Sequence, residues 1–159
     1  MKTLSDLLSI LSTSKIDFVV VGGFAGVLHG SSLVTRDLDL CTVLTPENIE
    51  RLKTVLKEFH PKHRMTPNKL PFTTVPPAGQ ALKNLYLETD LGVVDFLSAI
   101  TGLGDFQVVR SNAEEVAING NKIFVMSLSD LIQAKEAMNR EKDRLAVKEL
   151  RAIQAKKKS

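Results

Sequence analysis

Cysteine is almost missing from this chain. Its 159 residues hold one, Cys41, which excludes an internal disulfide framework and any zinc site built on a cysteine cluster. There is no tryptophan and one tyrosine, and aromatics make up 5% of the residues. No apolar run approaches the roughly 18 residues that a membrane-spanning helix needs, so no membrane partner is expected. Neither charge sign dominates: 21 Lys and Arg against 18 Asp and Glu leave a net charge of +3. Lys156, Lys157 and Lys158 account for that excess and read as a basic tail over 156–159, either a solvated end or an arm for RNA phosphates.

What is present is the balance of a globular protein, 43% hydrophobic and 25% charged. That excludes disorder of the whole chain and rod-like folds. The length suits one domain, taken as residues 1–155, with a core of its own. The opening stretch, Met1 to Lys15, carries Asp6 and several serines within its apolar pattern and lacks a small-residue cleavage site. It reads as an amphipathic helix over Thr3–Ser14 and not as a signal peptide, and the expected address is the cytoplasm.

Periodicity sketches the rest. Asp17–Val21 is a short, β-branched run ending in Gly22-Gly23, a strand buried on both faces. Phe24–His29 can form a short helix. Asp37–Val43 alternates polar and apolar residues, the period of a strand with one buried face. Thr45-Pro46 starts a helix that carries Ile49, Leu52, Leu56 and Phe59 and stops at His60-Pro61. Residues 61–79 hold five of the six prolines and read as an irregular binding loop. Leu82–Glu88 and Gly92–Leu97 form one candidate hairpin, and Val116–Ile118 with Ile123–Val125 another, across Asn119-Gly120-Asn121. Ser127-Leu-Ser-Asp130 is a capping pattern that opens a helix from Leu128 to about Asn139, and a second helix runs from Glu141 to about Ala155. The order implies an α/β (α+β) domain, a mixed sheet flanked by helices with further helices at the C-terminus.

Three features suggest chemistry. Gly22-Gly23 sits between a buried strand and a helix, where bare backbone amides can approach a phosphate; it also reads as an ordinary turn. Asp37 and Asp39, two apart on a strand, point to one side about 7 Å apart. They form either the solvent face of an amphipathic strand or a seat for a divalent cation. Asp95 interrupts the apolar run Gly92–Leu97, and a buried carboxylate must reach a cation, a donor or solvent. If its strand lies beside that of Asp37, three carboxylates converge and could hold one or two Mg²⁺ ions with a nucleoside triphosphate.

The run Gly22-Gly23-Phe-Ala-Gly-Val-Leu-His29-Gly30, followed by Thr35-Arg36-Asp37-Leu-Asp39-Leu, resembles the signature of the polymerase-β-like nucleotidyltransferase superfamily: a glycine pair, a short helix, D-x-D and a later Asp. The closest likeness is to small bacterial stand-alone members, the abortive-infection (AbiEii-like) and toxin–antitoxin nucleotidyltransferases, and more distantly to aminoglycoside nucleotidyltransferases. Leu128–Lys135 and Arg140-Glu-Lys142-Asp143 resemble the helical segment of the same relatives. The resemblance implies a nucleotidyltransferase-like fold and a Mg²⁺-dependent (or Mn²⁺-dependent) transfer of a nucleoside monophosphate from an NTP to a hydroxyl. Gly22, Gly23 and Lys135 would hold phosphates, and Arg140, Lys142 and Asp143 would line or brace the site. Asp37, Asp39 and Asp95 would be the catalytic metal ligands, with Asp95 as base. Arg36 is weighed between a salt bridge and a phosphate contact, with the contact favoured. Ala146 stands where toxin-type relatives often carry a second Asp, so the full toxin motif is not present. RNA such as tRNA, or protein, ranks ahead of a small-molecule antibiotic as acceptor, because the chain shows no further acidic cluster. An antitoxin partner and a catalytically inactive nucleotide- or RNA-binding module are the remaining alternatives.

Other candidates point away from chemistry. His60 and His63 lack a third zinc ligand and read as surface histidines. His29 reads as a helix-end residue making a structural hydrogen bond. Cys41 reads as a packed thiol, and no serine has a His-Asp arrangement around it. Lys135 shares a helix face with Leu131, Ile132 and Met138, which would be the buried side, and a lysine there needs an anion.

Overall fold

The computed structural model describes residues 4–158. Its centre is a seven-stranded mixed sheet in the order β3-β4-β5-β2-β1-β9-β8. Strand β1 (Phe18–Val21) pairs antiparallel with β2 (Asp37–Thr42) and parallel with β9 (Asn121–Val125). Strand β2 pairs parallel with β5 (Gly92–Leu97), whose hairpin partner is β4 (Asn84–Thr89). The two-residue β3 (Lys62–His63) and β8 (Glu114–Ile118) form the edges. This is the expected mixed sheet with flanking and C-terminal helices.

Local chemistry explains most boundaries. Helix α1 (Leu4–Ser12) buries Leu7, Leu8 and Leu11; Thr3, the expected start, lies outside the described residues. Helix α3 (Pro46–Leu56) is capped by Thr45, whose hydroxyl accepts from the Asn48 amide at 3.1 Å, and it tightens into a 3₁₀ turn over Lys57–Phe59. Helix α5 (Leu128–Met138) is capped in the same way by Ser127 on the Asp130 amide at 3.0 Å. Strands β8 and β9 meet across Asn119 (φ 51°) and Gly120 (φ 81°), the left-handed pair that a two-residue hairpin turn requires. The core lies between sheet and helices, around Val19, Val20, Leu38, Leu40, Val94 and Phe96 from the sheet and Leu7, Leu11, Ile49 and Leu52 from the helices.

The structure departs from the sequence reading in four places. The helix after β1 begins at the glycine pair itself: α2 is Gly22–Leu28, so both glycines form its first turn. Residues 61–79 return to the sheet at β3 and do not stay wholly irregular. The stretch after β5, left without elements by its weak periodicity, holds β6 (Ala99–Ile100), β7 (Gly104–Asp105) and α4 (Phe106–Ser111). Helix α6 (Glu141–Lys158) runs through the lysine run, and Lys157 Nζ donates to His29 Nδ1 at 3.2 Å.

Candidate active site

Register brings the carboxylates together. On the parallel pair β2–β5, Asp39 lies directly beside Asp95, at a strand separation of about 4.8 Å. Asp37 is one pleat further along the same face. Leu38 and Leu40 point to the other face and are fully buried, which fixes the direction of the aspartates. All three line an open cleft of about 680 Å³. Gly22 and Gly23 line the same cleft from the start of α2, and Lys135, Arg140, Lys142 and Asp143 line it from α5 and α6.

Gly22 does more than shorten a turn. Its φ is +68°, and a Cβ there would stand 2.5 Å from Asp39 Oδ2. Glycine is required so that the carboxylate can sit against the backbone. A Cβ on Gly23 would press on Thr35 Oγ1 at 3.1 Å.

The charges are unevenly partnered. Asp37 and Asp39 make no side-chain hydrogen bond or ion pair with another described residue. Burial, then Asp95 and Asp37, raise the Asp39 carboxyl to about 6, while Lys135 and Arg64 pull it down. Asp95 is committed. Arg64 Nε donates to Oδ1 at 3.1 Å and Arg64 Nη2 to Oδ2 at 2.5 Å, a bidentate grip. The Arg64 guanidinium lies over the Tyr86 ring, 5.4 Å from its centroid.

On the helical side Asp143 is fully buried and Arg140 grips it, Nε to Oδ2 at 2.6 Å and Nη2 to Oδ1 at 3.2 Å. Lys135 Nζ stands 3.7 Å from its Oδ1. That side-chain hydrogen bond from Arg140 holds the Asp143 carboxyl below the usual range. So the anion that the Lys135 position called for is supplied within the fold. Met138, expected on the buried side with it, is 44% exposed.

Of the residues singled out from sequence, Gly22, Gly23, Asp37, Asp39, Asp95, Lys135, Arg140 and Lys142 meet in one cleft. Arg36, for which a phosphate contact was favoured, does not. It is exposed, precedes β2 and lies outside the cleft lining. Cys41 is fully buried, and burial pushes its thiol up to about 11. His29 is structural: Nε2 donates to the Met126 carbonyl at 2.8 Å. His60 pairs with Asp90 at 2.6 Å and His63 with the Val75 carbonyl at 2.6 Å, so neither joins a metal site.

Sequence reasoning missed Arg64, Tyr86 and Asn84. The only signal was a basic residue in a proline-rich stretch with no period to place it.

The aspartates suit a hard divalent cation: two carboxylates without side-chain partners among the described residues, and an Asp39 carboxyl driven up by burial and then by the neighbouring carboxylates. The fit is to the Asp37–Asp39 pair. Among the described residues no three His, Cys, Asp or Glu side chains are grouped to hold an ion, and Asp95 is held by Arg64.

No protein-family model matches the chain, and no curated protein matches it in sequence. Solved structures do match in fold. A lincosamide antibiotic adenylyltransferase, LnuA, crystallised with lincomycin, superposes with a TM-score of 0.62 at 17% identity, covering 94% of this chain and 95% of that one. An inferred nucleotidyltransferase of Thermotoga maritima, TM1012, gives 0.57 at 20% identity over 92% and 88%. An antigenic nucleotidyltransferase-like protein of Paracoccidioides brasiliensis gives 0.53 at 18% over 94% and 74%. The chain therefore has a nucleotidyltransferase-like fold.

Proposed function

We propose that this protein is a divalent-cation-dependent nucleotidyltransferase of the polymerase-β-like superfamily, moving a nucleoside monophosphate from an NTP to an acceptor hydroxyl. The observation that carries the reading is the pairing of Asp39 with Asp95 across β2–β5, with Asp37 on the same face and Lys135 and Lys142 across the cleft. Acidic and basic walls facing each other suit a cation-bound triphosphate.

The acceptor oxygen bonds to the α-phosphorus as the bond from that phosphorus to the pyrophosphate oxygen breaks. Asp37 and Asp39 would hold a Mg²⁺ or Mn²⁺ ion, which would supply neutralisation of phosphate charge. The amides of Gly22 and Gly23 orient the phosphates, and Lys135 and Lys142 offset the charge of the departing pyrophosphate. Asp95 takes the hydroxyl proton at a carboxylate oxygen once Arg64 has released it.

RNA, with tRNA as the test case, and protein are natural acceptors. One observation favours a small molecule. The wall beside Asp95 is built of Asn84, Tyr86, Leu97, Ile100 and Thr101, and the cation next to it, Arg64, is spent on Asp95 and not offered to a nucleic-acid backbone. The fold neighbour that holds lincomycin is consistent with that reading.

The test incubates purified protein with each labelled NTP, Mg²⁺ and, in turn, tRNA, cell protein and a panel of hydroxylated antibiotics. Mass spectrometry should find one nucleoside monophosphate added to one class, and Asp39→Asn should abolish it. Nucleotide binding with no product from any acceptor would leave a non-catalytic binding module. Transfer that survives Asp39→Asn would refute the assignment.

A further inference from the structure

Resting on that reading of the site, we propose that Arg64 is a positioning residue that competes with the divalent cation for Asp95, so that the cation first enters through Asp37 and Asp39 alone. The three aspartates share one face, yet only Asp95 has a protein cation on it, and both of its oxygens are taken. A guanidinium cannot be deprotonated in a protein, so Arg64 does not give up Asp95 by losing its own proton.

Arg64 is placed where it can give way. It directly follows β3, the two-residue strand at the sheet edge, and only its backbone amide, donating to the Tyr86 carbonyl at 3.1 Å, continues the pairing. Its side chain is 27% exposed, against 10% for Asp95. Beyond Asp95 it touches the Tyr86 ring and, through Nη1, the Met65 sulfur at 3.3 Å. The edge therefore supplies a cation that can swing, and the central strand supplies a carboxylate that cannot.

The test titrates Mn²⁺ alone, without nucleotide, into the full chain and reads binding by electron paramagnetic resonance. Arg64→Gln should bind Mn²⁺ at least about tenfold more tightly than the unaltered protein, because it frees a carboxylate beside the Asp37–Asp39 pair. Asp95→Asn alone should change the affinity less than about threefold, since Asp95 is already occupied. In the Arg64→Gln background the same change should erase the gain, which is the coupling a cycle of single and double variants isolates. Arg64→Lys, which keeps the charge without the bidentate grip, should fall between. A role confined to folding would lower affinity and could not raise it. The proposal is overturned if Arg64→Gln binds no tighter, or if Asp95→Asn alone weakens Mn²⁺ as much as Asp39→Asn does. The predicted Mn²⁺ pattern with no nucleotidyl transfer would sink the functional reading and leave Arg64 in place. Transfer without the Arg64→Gln gain would do the reverse.

Discussion

At the scale of single residues, Asp39 is held against its own preference. Its folded pKa of about 6 lies above the ordinary carboxyl value of 3.8, with burial the largest cause. Below pH 3.8 both folded and unfolded chains carry the proton and the group is neutral in its effect. Between 3.8 and about 6 the folded chain binds more protons, so stability falls as pH rises; above 6 the whole penalty is present, about 2 to 3 kcal/mol. In cation-free buffer, Asp39→Asn should therefore raise the melting temperature at pH 8 by about 4 to 12 °C and leave it nearly unchanged at pH 4. Thermal denaturation followed by circular dichroism at the two pH values checks this, and a variant no more stable at pH 8 would show that Asp39 bears no such strain. The two aspartates of β2 were legible because strand period puts i and i+2 on one side. Asp95 was legible because an acid in an apolar strand needs a reason. Gly22 was legible as a glycine, but its purpose was not: the close approach of Asp39 Oδ2 exists only once β2 lies beside β1. Arg64 and Tyr86 could not be found, since the first depends on where a proline-rich segment returns to the sheet.

Among the elements, α5 and α6 are joined by one buried charge. Asp143, in the first turn of α6, has its carboxylate held by Arg140 from the connection and approached by Lys135 from α5. Removing it strands two cations at the helix junction. Asp143→Ala should cost about 2 to 4 kcal/mol, less than a fully buried pair because Arg140 is half exposed. Urea unfolding at pH 7 measures the loss. Because the folded pKa of Asp143 is depressed, its contribution is complete above pH 3.8 and fades as pH falls through the lower folded value. The gap between variant and unaltered protein should narrow in acid, and a gap that held constant would show that the charge is not what joins the helices. The elements themselves read well from sequence where a local signal existed, as with Thr45 and Ser127 as caps and Asn119-Gly120 as a turn. They read poorly over residues 99–111. There the strands are two residues long and the helix six, too short to show a period, and Gly102 is set by tertiary contact: a Cβ on it would stand 2.5 Å from Ala137 Cβ.

For the whole molecule the cleft is a seam between two bodies of unlike charge. The sheet contributes Asp37, Asp39 and Asp95, and the helical pair contributes Lys135, Arg140 and Lys142. A triphosphate alone meets the carboxylates and is repelled. A cation alone meets only the sheet side. On the proposed function the two together would bridge the seam, the cation on the aspartates and the phosphates on the lysines. Ligands that bind only the folded state stabilise it by about 2.7 kcal/mol at 100 times the dissociation constant. For a domain of this length that is roughly 6 to 10 °C in melting temperature. Thermal-shift measurements with NTP, with Mg²⁺ and with both should show the full rise only for the pair, in excess of the summed single effects. The excess should shrink in Asp37→Asn, which takes one carboxylate from the sheet side, and in Lys135→Gln, which takes one cation from the helical side. If NTP alone gave the whole rise, the phosphates would be held by the helices without reference to the aspartates, and the cleft would not be the reaction centre proposed for it.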